Sequence, residues 1–166
     1  MPRLFALDSS IVVILAGGAS DEPRARERAE SLLLEHEDAG EHVGVPAAGW
    51  AECCHCDVQK SSSFMIWPLN AAAATLANRL TPPMIEAGKA KGSSKREVKI
   101  DALILATAET AGCTGLYTTD EWFATVAQRE GLRVQIRPLP PVRPVQVELP
   151  DVEPVHLDPS KKPNDS

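Results

Sequence analysis

The stretch Arg3-Leu4-Phe5-Ala6-Leu7-Asp8-Ser9-Ser10-Ile11-Val12-Val13-Ile14-Leu15-Ala16 decides how the rest of the chain is read. An apolar run of strand length ends at an acid and two serines, and a second apolar piece follows. The first run reads as a buried strand, and the second leads into a helix start. Asp8 is thereby embedded between two segments that seek the core, where an unpaired charge is costly. It is the first candidate functional residue.

The same alternation of short apolar runs and longer amphipathic stretches continues to residue 137, which is the signature of an α/β fold. Ser20-Asp21-Glu22-Pro23 offers capping residues and a first-turn proline, after which Ala25, Ala29, Leu32 and Leu33 recur at helical spacing as far as Gly40. His42 to Val45 reads as a second strand, and a helix containing Glu52 follows Pro46. Phe64 to Trp67 is a short strand, and Asn70 is placed to cap the alanine-rich helix Ala71 to Leu80. Thr81-Pro82 reads as a further cap with proline at the first helical position. A helix from Ile100 to Ala111 stops at Gly112. Strand Gly115 to Thr119, helix Glu121 to Arg129 and strand Leu132 to Arg137 complete the series. Strands separated by helices imply parallel pairing with helices on both faces.

Composition sets the boundaries. The chain has 166 residues, 24% charged and 43% hydrophobic, which suits one folded domain and excludes a disordered or collagen-like chain. A net charge of −6 excludes a general basic coat, so a polyanion would have to be held by a local patch. The longest apolar run, Ile11 to Ala16, is far short of the roughly 20 residues that span a bilayer, so no membrane partner is expected. Asp8-Ser9-Ser10 interrupts what would otherwise imitate a secretory signal. Three of the four cysteines crowd into Cys53-Cys54-His55-Cys56, which is no disulfide framework, and a cytoplasmic location is expected. The last 29 residues hold eight of the fourteen prolines and no aromatic residue. Residues 138–166 are therefore expected to be an extended or disordered tail behind a domain of residues 1–137.

Four acids stand at expected element boundaries: Asp8, Glu52, Asp101 and Asp120. In an open parallel sheet, strand ends and adjoining helix starts converge on the ligand-binding crevice. Carboxylates gathered there repel one another unless a cation compensates them, and oxygen-only ligation suits Mg²⁺ or Mn²⁺. Each acid also has a plainer reading. Asp101 could complement a helix dipole and Asp120 could cap the helix after it, while Glu27, Glu30, Glu35, Glu37 and Asp38 lie on the polar side of a helix.

Leu7-Asp8-Ser9-Ser10, Val45-Pro46 leading to Trp50-Ala51-Glu52, Lys99-Ile100-Asp101 through Ala108, and Tyr117-Thr118-Thr119-Asp120-Glu121-Trp122-Phe123 together resemble the successive motifs of PIN-domain nucleases. Their size and order are most similar to VapC-type toxins of toxin–antitoxin pairs. The resemblance covers about residues 4–137 and implies a three-layer α/β/α fold with a central five-stranded parallel sheet. It also implies a metal-dependent endoribonuclease site. Asp8, Asp101 and Asp120 would bind Mg²⁺ or Mn²⁺ directly, and Glu52 would bind through water or position the nucleophile. Ser9 matches the small hydroxyl residue after the first acid, and Thr118 the hydroxyl residue two before the last. An antitoxin partner and a homodimer are implied as well.

Phosphodiester hydrolysis needs a nucleophilic water, charge neutralisation and help for the departing oxygen, all of which divalent ions supply. A ribose 2′-hydroxyl is not required, so RNA as the substrate rests on the resemblance. Lys89, Lys91, Lys95, Arg96 and Lys99 make a basic loop directly ahead of Asp101, with Lys95, Arg96 and Lys99 as candidate RNA contacts. Two rival readings remain. Cys53, His55 and Cys56 could belong to a zinc site completed by Cys113, His36 or His42, and the fold could serve as a catalytically silent protein- or RNA-binding module. No Gly-x-Ser-x-Gly elbow or phosphate-binding Gly-x-x-x-x-Gly-Lys-Ser/Thr loop is present.

Overall fold

The computed structural model describes residues 2–18, 20, 23–53, 64–89 and 92–142. Five strands, β1 (Leu4–Leu7), β2 (His42–Pro46), β3 (Met65–Trp67), β4 (Gly115–Tyr117) and β5 (Gln135–Arg137), form one sheet in the order β3-β2-β1-β4-β5. All four neighbouring pairs are parallel, with Phe5 opposite Val43 on one side and Gly115 on the other. Parallel neighbours require crossover connections. These are α1 (Ser9–Leu15), α2 (Ala25–Asp38), α3 (Ala47–Glu52), α4 (Ala71–Lys89), α5 (Lys95–Thr110) and α6 (Trp122–Arg129).

Side chains alternate across the pleat and divide the interior in two. Ala6 and Leu116 face a core built with Leu80 and Met84 of α4, Leu105 of α5 and Phe123 of α6. Phe5, Leu7 and Tyr117 face the opposite core with Ile11, Val12 and Leu32 of α1 and α2. The result is the α/β/α layering expected from the sequence. The chain leaves β1 towards β2 on one side and returns to β4 on the other, so the order reverses between β1 and β4. That is where an open α/β sheet offers its crevice.

Several local expectations are corrected. Thr81-Pro82 does not start a helix, because α4 runs through Pro82 and Pro83 to Lys89. An internal proline costs about 3 kcal/mol or more, but Leu80 and Met84 on either side of the prolines are both fully buried in one core. Two such burials, at about 1.5–3 kcal/mol each, offset part of the cost of the two prolines. The next helix begins at Lys95 rather than Ile100. Ser94 caps it in a reciprocal capping box with Glu97, and α5 ends before Gly112, whose φ is +74°. Lys95, Arg96 and Lys99 therefore sit on the first turns of a helix rather than in a mobile loop.

The N-terminus of α2 lacks a side-chain cap as well. Its N-cap position is Arg24 in the left-handed region, and Pro23 precedes the helix. Leu139, beyond the last strand, is buried in the α1–α2 core. Arg28 donates to the carbonyls of Leu139 and Pro140, which ties residues 139–140 to α2. The expected tail beyond residue 142 lies outside the described residues. No helix among the described residues is long and apolar enough to cross a membrane.

Candidate active site

Asp8 ends β1 and caps α1, and its carboxylate is surrounded by hydroxyl and amide donors. Oδ1 accepts from the Ser9 amide at 2.7 Å. Oδ2 accepts from Ser10 Oγ at 2.9 Å and from Thr118 Oγ1 at 2.7 Å. The Asp8 amide donates to the Tyr117 carbonyl at 2.9 Å, which extends the β1–β4 ladder by one bond. Asp8 is only 2% exposed, and burial raises its pKa against the lowering effect of these three bonds.

The remaining acids arrive from three other elements. Glu52 is the last residue of α3, and its Oε2 accepts from Ser9 Oγ at 2.8 Å. α3 packs closely here, since a Cβ on Gly49 would lie 3.5 Å from the Ser9 amide nitrogen and 3.3 Å from Ile104 Cδ1. Asp101 lies in the second turn of α5, one turn further in than a dipole-complementing residue would sit. Asp120 follows β4, and its amide donates to Thr118 Oγ1 at 3.0 Å. No side chain caps α6, whose N-cap residue is Glu121, so the capping role considered for Asp120 is not found.

Asp8, Glu52, Asp101 and Asp120 line a single cavity of about 550 Å³, together with Ser9 and Ser10. Burial, followed by the charges of Asp8, Asp120 and Glu52, pushes the Asp101 carboxyl up to about 8. Glu52 is raised too, chiefly by burial and then by Asp8, against its bond from Ser9. Oxygen-only donors with uncompensated like charge fit a hard divalent cation chemically. Among the described residues no three His, Cys, Asp or Glu side chains form a ready-made metal site.

Thr118 and Ser9 each donate to an acid, Thr118 to Asp8 and Ser9 to Glu52. Ser10 was not singled out, although a hydroxyl two residues after a helix-capping acid was the available signal. Its Oγ also accepts from the Thr119 amide at 3.4 Å. Of the basic residues, Arg96 comes nearest. It shares a neighbouring cavity of about 730 Å³ with Glu52, Ile100 and Leu103, and its charge acts to lower the Glu52 pKa. Lys95 and Lys99 are exposed and line neither cavity. The thiol of Cys53 is buried and donates to the Gly49 carbonyl at 3.2 Å. His36 is engaged by Glu41 and Tyr117. His55 and Cys56, on which the zinc reading also depended, lie outside the described residues.

No family model and no curated protein matches the chain. Among solved structures, it is similar to the crystal structure of VapBC2 from Rickettsia felis bound to a DNA fragment from their promoter. The identity is 14%, over 82% of this chain and 98% of that chain, with a TM-score of 0.48. At that level the likeness carries no residue's role from one protein to the other.

Proposed function

We propose that the protein is a Mg²⁺- or Mn²⁺-dependent endoribonuclease of the PIN type. The observation that supports this most is the convergence of Asp8, Glu52, Asp101 and Asp120 from four separate elements on one cavity. Such like-charge crowding lowers stability unless a cation relieves it. The bound ion supplies charge neutralisation and activation of water for in-line attack on a phosphodiester.

The chain's own residues do the rest. Asp8, Asp101 and Asp120 hold the ion, and the bonds from Ser10 and Thr118 orient the Asp8 carboxylate. Ser9 orients Glu52, which positions the attacking water. Arg96, with Lys95 and Lys99 on the same helical turns, contacts the RNA backbone. RNA as the substrate, an antitoxin seated on the acidic cavity and a homodimeric state follow from the motif resemblance in the sequence.

Incubation of purified protein with total RNA and Mg²⁺ or Mn²⁺ tests the proposal. Cleavage by the parent chain is expected, with a loss of about 100-fold or more in Asp8→Asn and Asp101→Asn, the scale on which removing one charge-stabilising group acts. Variants that cut as well as the parent sink the site assignment. RNA binding that survives chelation, with no cleavage under any condition, identifies a silent binding module instead.

A further inference from the structure

A second polar cluster is buried on the α1–α2 side of the sheet, and the proposed chemistry does not use it. His36, in the last turn of α2, is 6% exposed, and Tyr117, at the end of β4, is 5% exposed. His36 Nδ1 lies 2.6 Å from Glu41 Oε2, and Nε2 lies 3.1 Å from the Tyr117 hydroxyl. Glu41 is also paired with Arg3. A carboxylate partner keeps hydrogen on Nδ1, so in the neutral ring Nε2 accepts from the Tyr117 hydroxyl. The imidazole packs at a tilt of 36° against the Phe5 ring of β1, with ring centroids 4.2 Å apart.

The position of Tyr117 gives this cluster its consequence. The Tyr117 carbonyl receives the Asp8 amide at 2.9 Å, and the next residue, Thr118, holds Asp8 Oδ2 and the Asp120 amide through its hydroxyl. A chain of contacts therefore runs from Arg3 and Glu41 through His36 to the strand end that sets two of the cavity acids. Burying so many polar groups is costly unless all are satisfied. An apolar side chain at residue 117 would fill the core without that requirement.

We infer that Tyr117 and His36 are positioning residues, which fix the end of β4 so that the Asp8 and Asp120 carboxyl groups stand in register across the cavity. This inference rests on the site reading above, but one arm of its test does not.

Tyr117→Phe removes only the hydroxyl. His36→Asn keeps a donor where Nδ1 meets Glu41 and deletes the arm to Tyr117. Val134→Ala serves as the control, because it lies in the other core and lowers stability without touching β4's hydroxyl network. In amide hydrogen exchange without metal, Tyr117→Phe and His36→Asn should each lose roughly tenfold protection at Asp8 and Thr118 beyond the change at other sheet amides, the loss expected when a buried hydrogen bond is removed. Val134→Ala should lower protection evenly. In Mn²⁺ titrations, both variants should bind about tenfold more weakly than the parent, as is usual when support behind a metal ligand is lost, and the control should bind as the parent does. Unchanged relative protection at Asp8 and Thr118 overturns the inference. So does unchanged Mn²⁺ affinity in a parent that binds the ion. A parent that binds no Mn²⁺ sinks the metal site, and the exchange result then decides the positioning role by itself.

Discussion

The two polar clusters of this molecule are built on opposite principles. Around His36, the one carboxylate has partners that stabilise its charge. Arg3 pairs with Glu41, and the His36 bond followed by the Arg3 charge hold the Glu41 carboxyl below the usual range. Around Asp101 the charges share one sign, and its carboxyl is pushed up to about 8 by burial and by the other acids. One cluster satisfies itself within the fold. The other crowds carboxyl groups of like charge, a strain that a retained proton on Asp101 relieves and that an added cation would relieve as well.

The widest separation between the clusters should come from added cation. Mn²⁺ at 100 times its Kd should raise stability by about 2.7 kcal/mol, read as an upward shift in thermal melting that chelation reverses. Asp8→Asn and Asp101→Asn should lose most of the shift, whereas Val134→Ala, outside both clusters, should keep it. A shift of equal size in Asp101→Asn would break the comparison.

Without metal, the two clusters should answer mutation with opposite signs. Glu41→Gln should destabilise by about 1–2 kcal/mol, the scale of a lost charge-assisted hydrogen bond, while Asp101→Asn should stabilise at pH 8. The pH dependence sharpens this. Between the ordinary value of 3.8 and about 8, folded Asp101 retains a proton that the unfolded chain releases. Its contribution to stability therefore falls as pH rises through that window and is level on either side. Melting temperatures of parent and Asp101→Asn should coincide near pH 4 and diverge towards pH 8. Parallel curves across the window would mean that Asp101 does not carry the strain.

The smallest effect should appear at the rim. Arg96→Ala should weaken RNA binding about threefold at low salt and reduce the salt slope by about one contact, measured by titration in rising NaCl. An unchanged slope would place the RNA path away from α5.

Much of this was legible in the residues. The run from Arg3 to Ala16 reads as a strand followed by a helix start because apolar periodicity and the Asp-Ser-Ser break are local signals, but that Asp8 caps α1 came only from the structure. The parallel sheet follows from alternating elements too far apart for hairpins. Asp8, Glu52 and Asp120 were legible because they stand at or just past element ends, whereas Asp101 read as a helix start only because α5 was expected to begin at Ile100 rather than Lys95. Thr81-Pro82 misled because a proline's local preference can be outweighed by Leu80 and Met84 packing in one core, and no sequence window reports that packing. Lys95 to Lys99 read as a loop because of their charge and the nearby Gly92-Ser93-Ser94, although Ser94 and Glu97 already held the pattern of a capping box.

From sequence alone came the layer type, the strand count implied by the motif order, and the identity of the acids at strand and helix ends. Only the folded chain decided that Ser10 supports Asp8, that Arg96 rather than Lys95 or Lys99 approaches Glu52, and that His36 meets Tyr117 from 81 positions away. Periodicity and capping are written over a few neighbouring residues. Which side chains share a hydrogen bond across the sheet depends on how the helices settle on it, and that is fixed by the whole core at once.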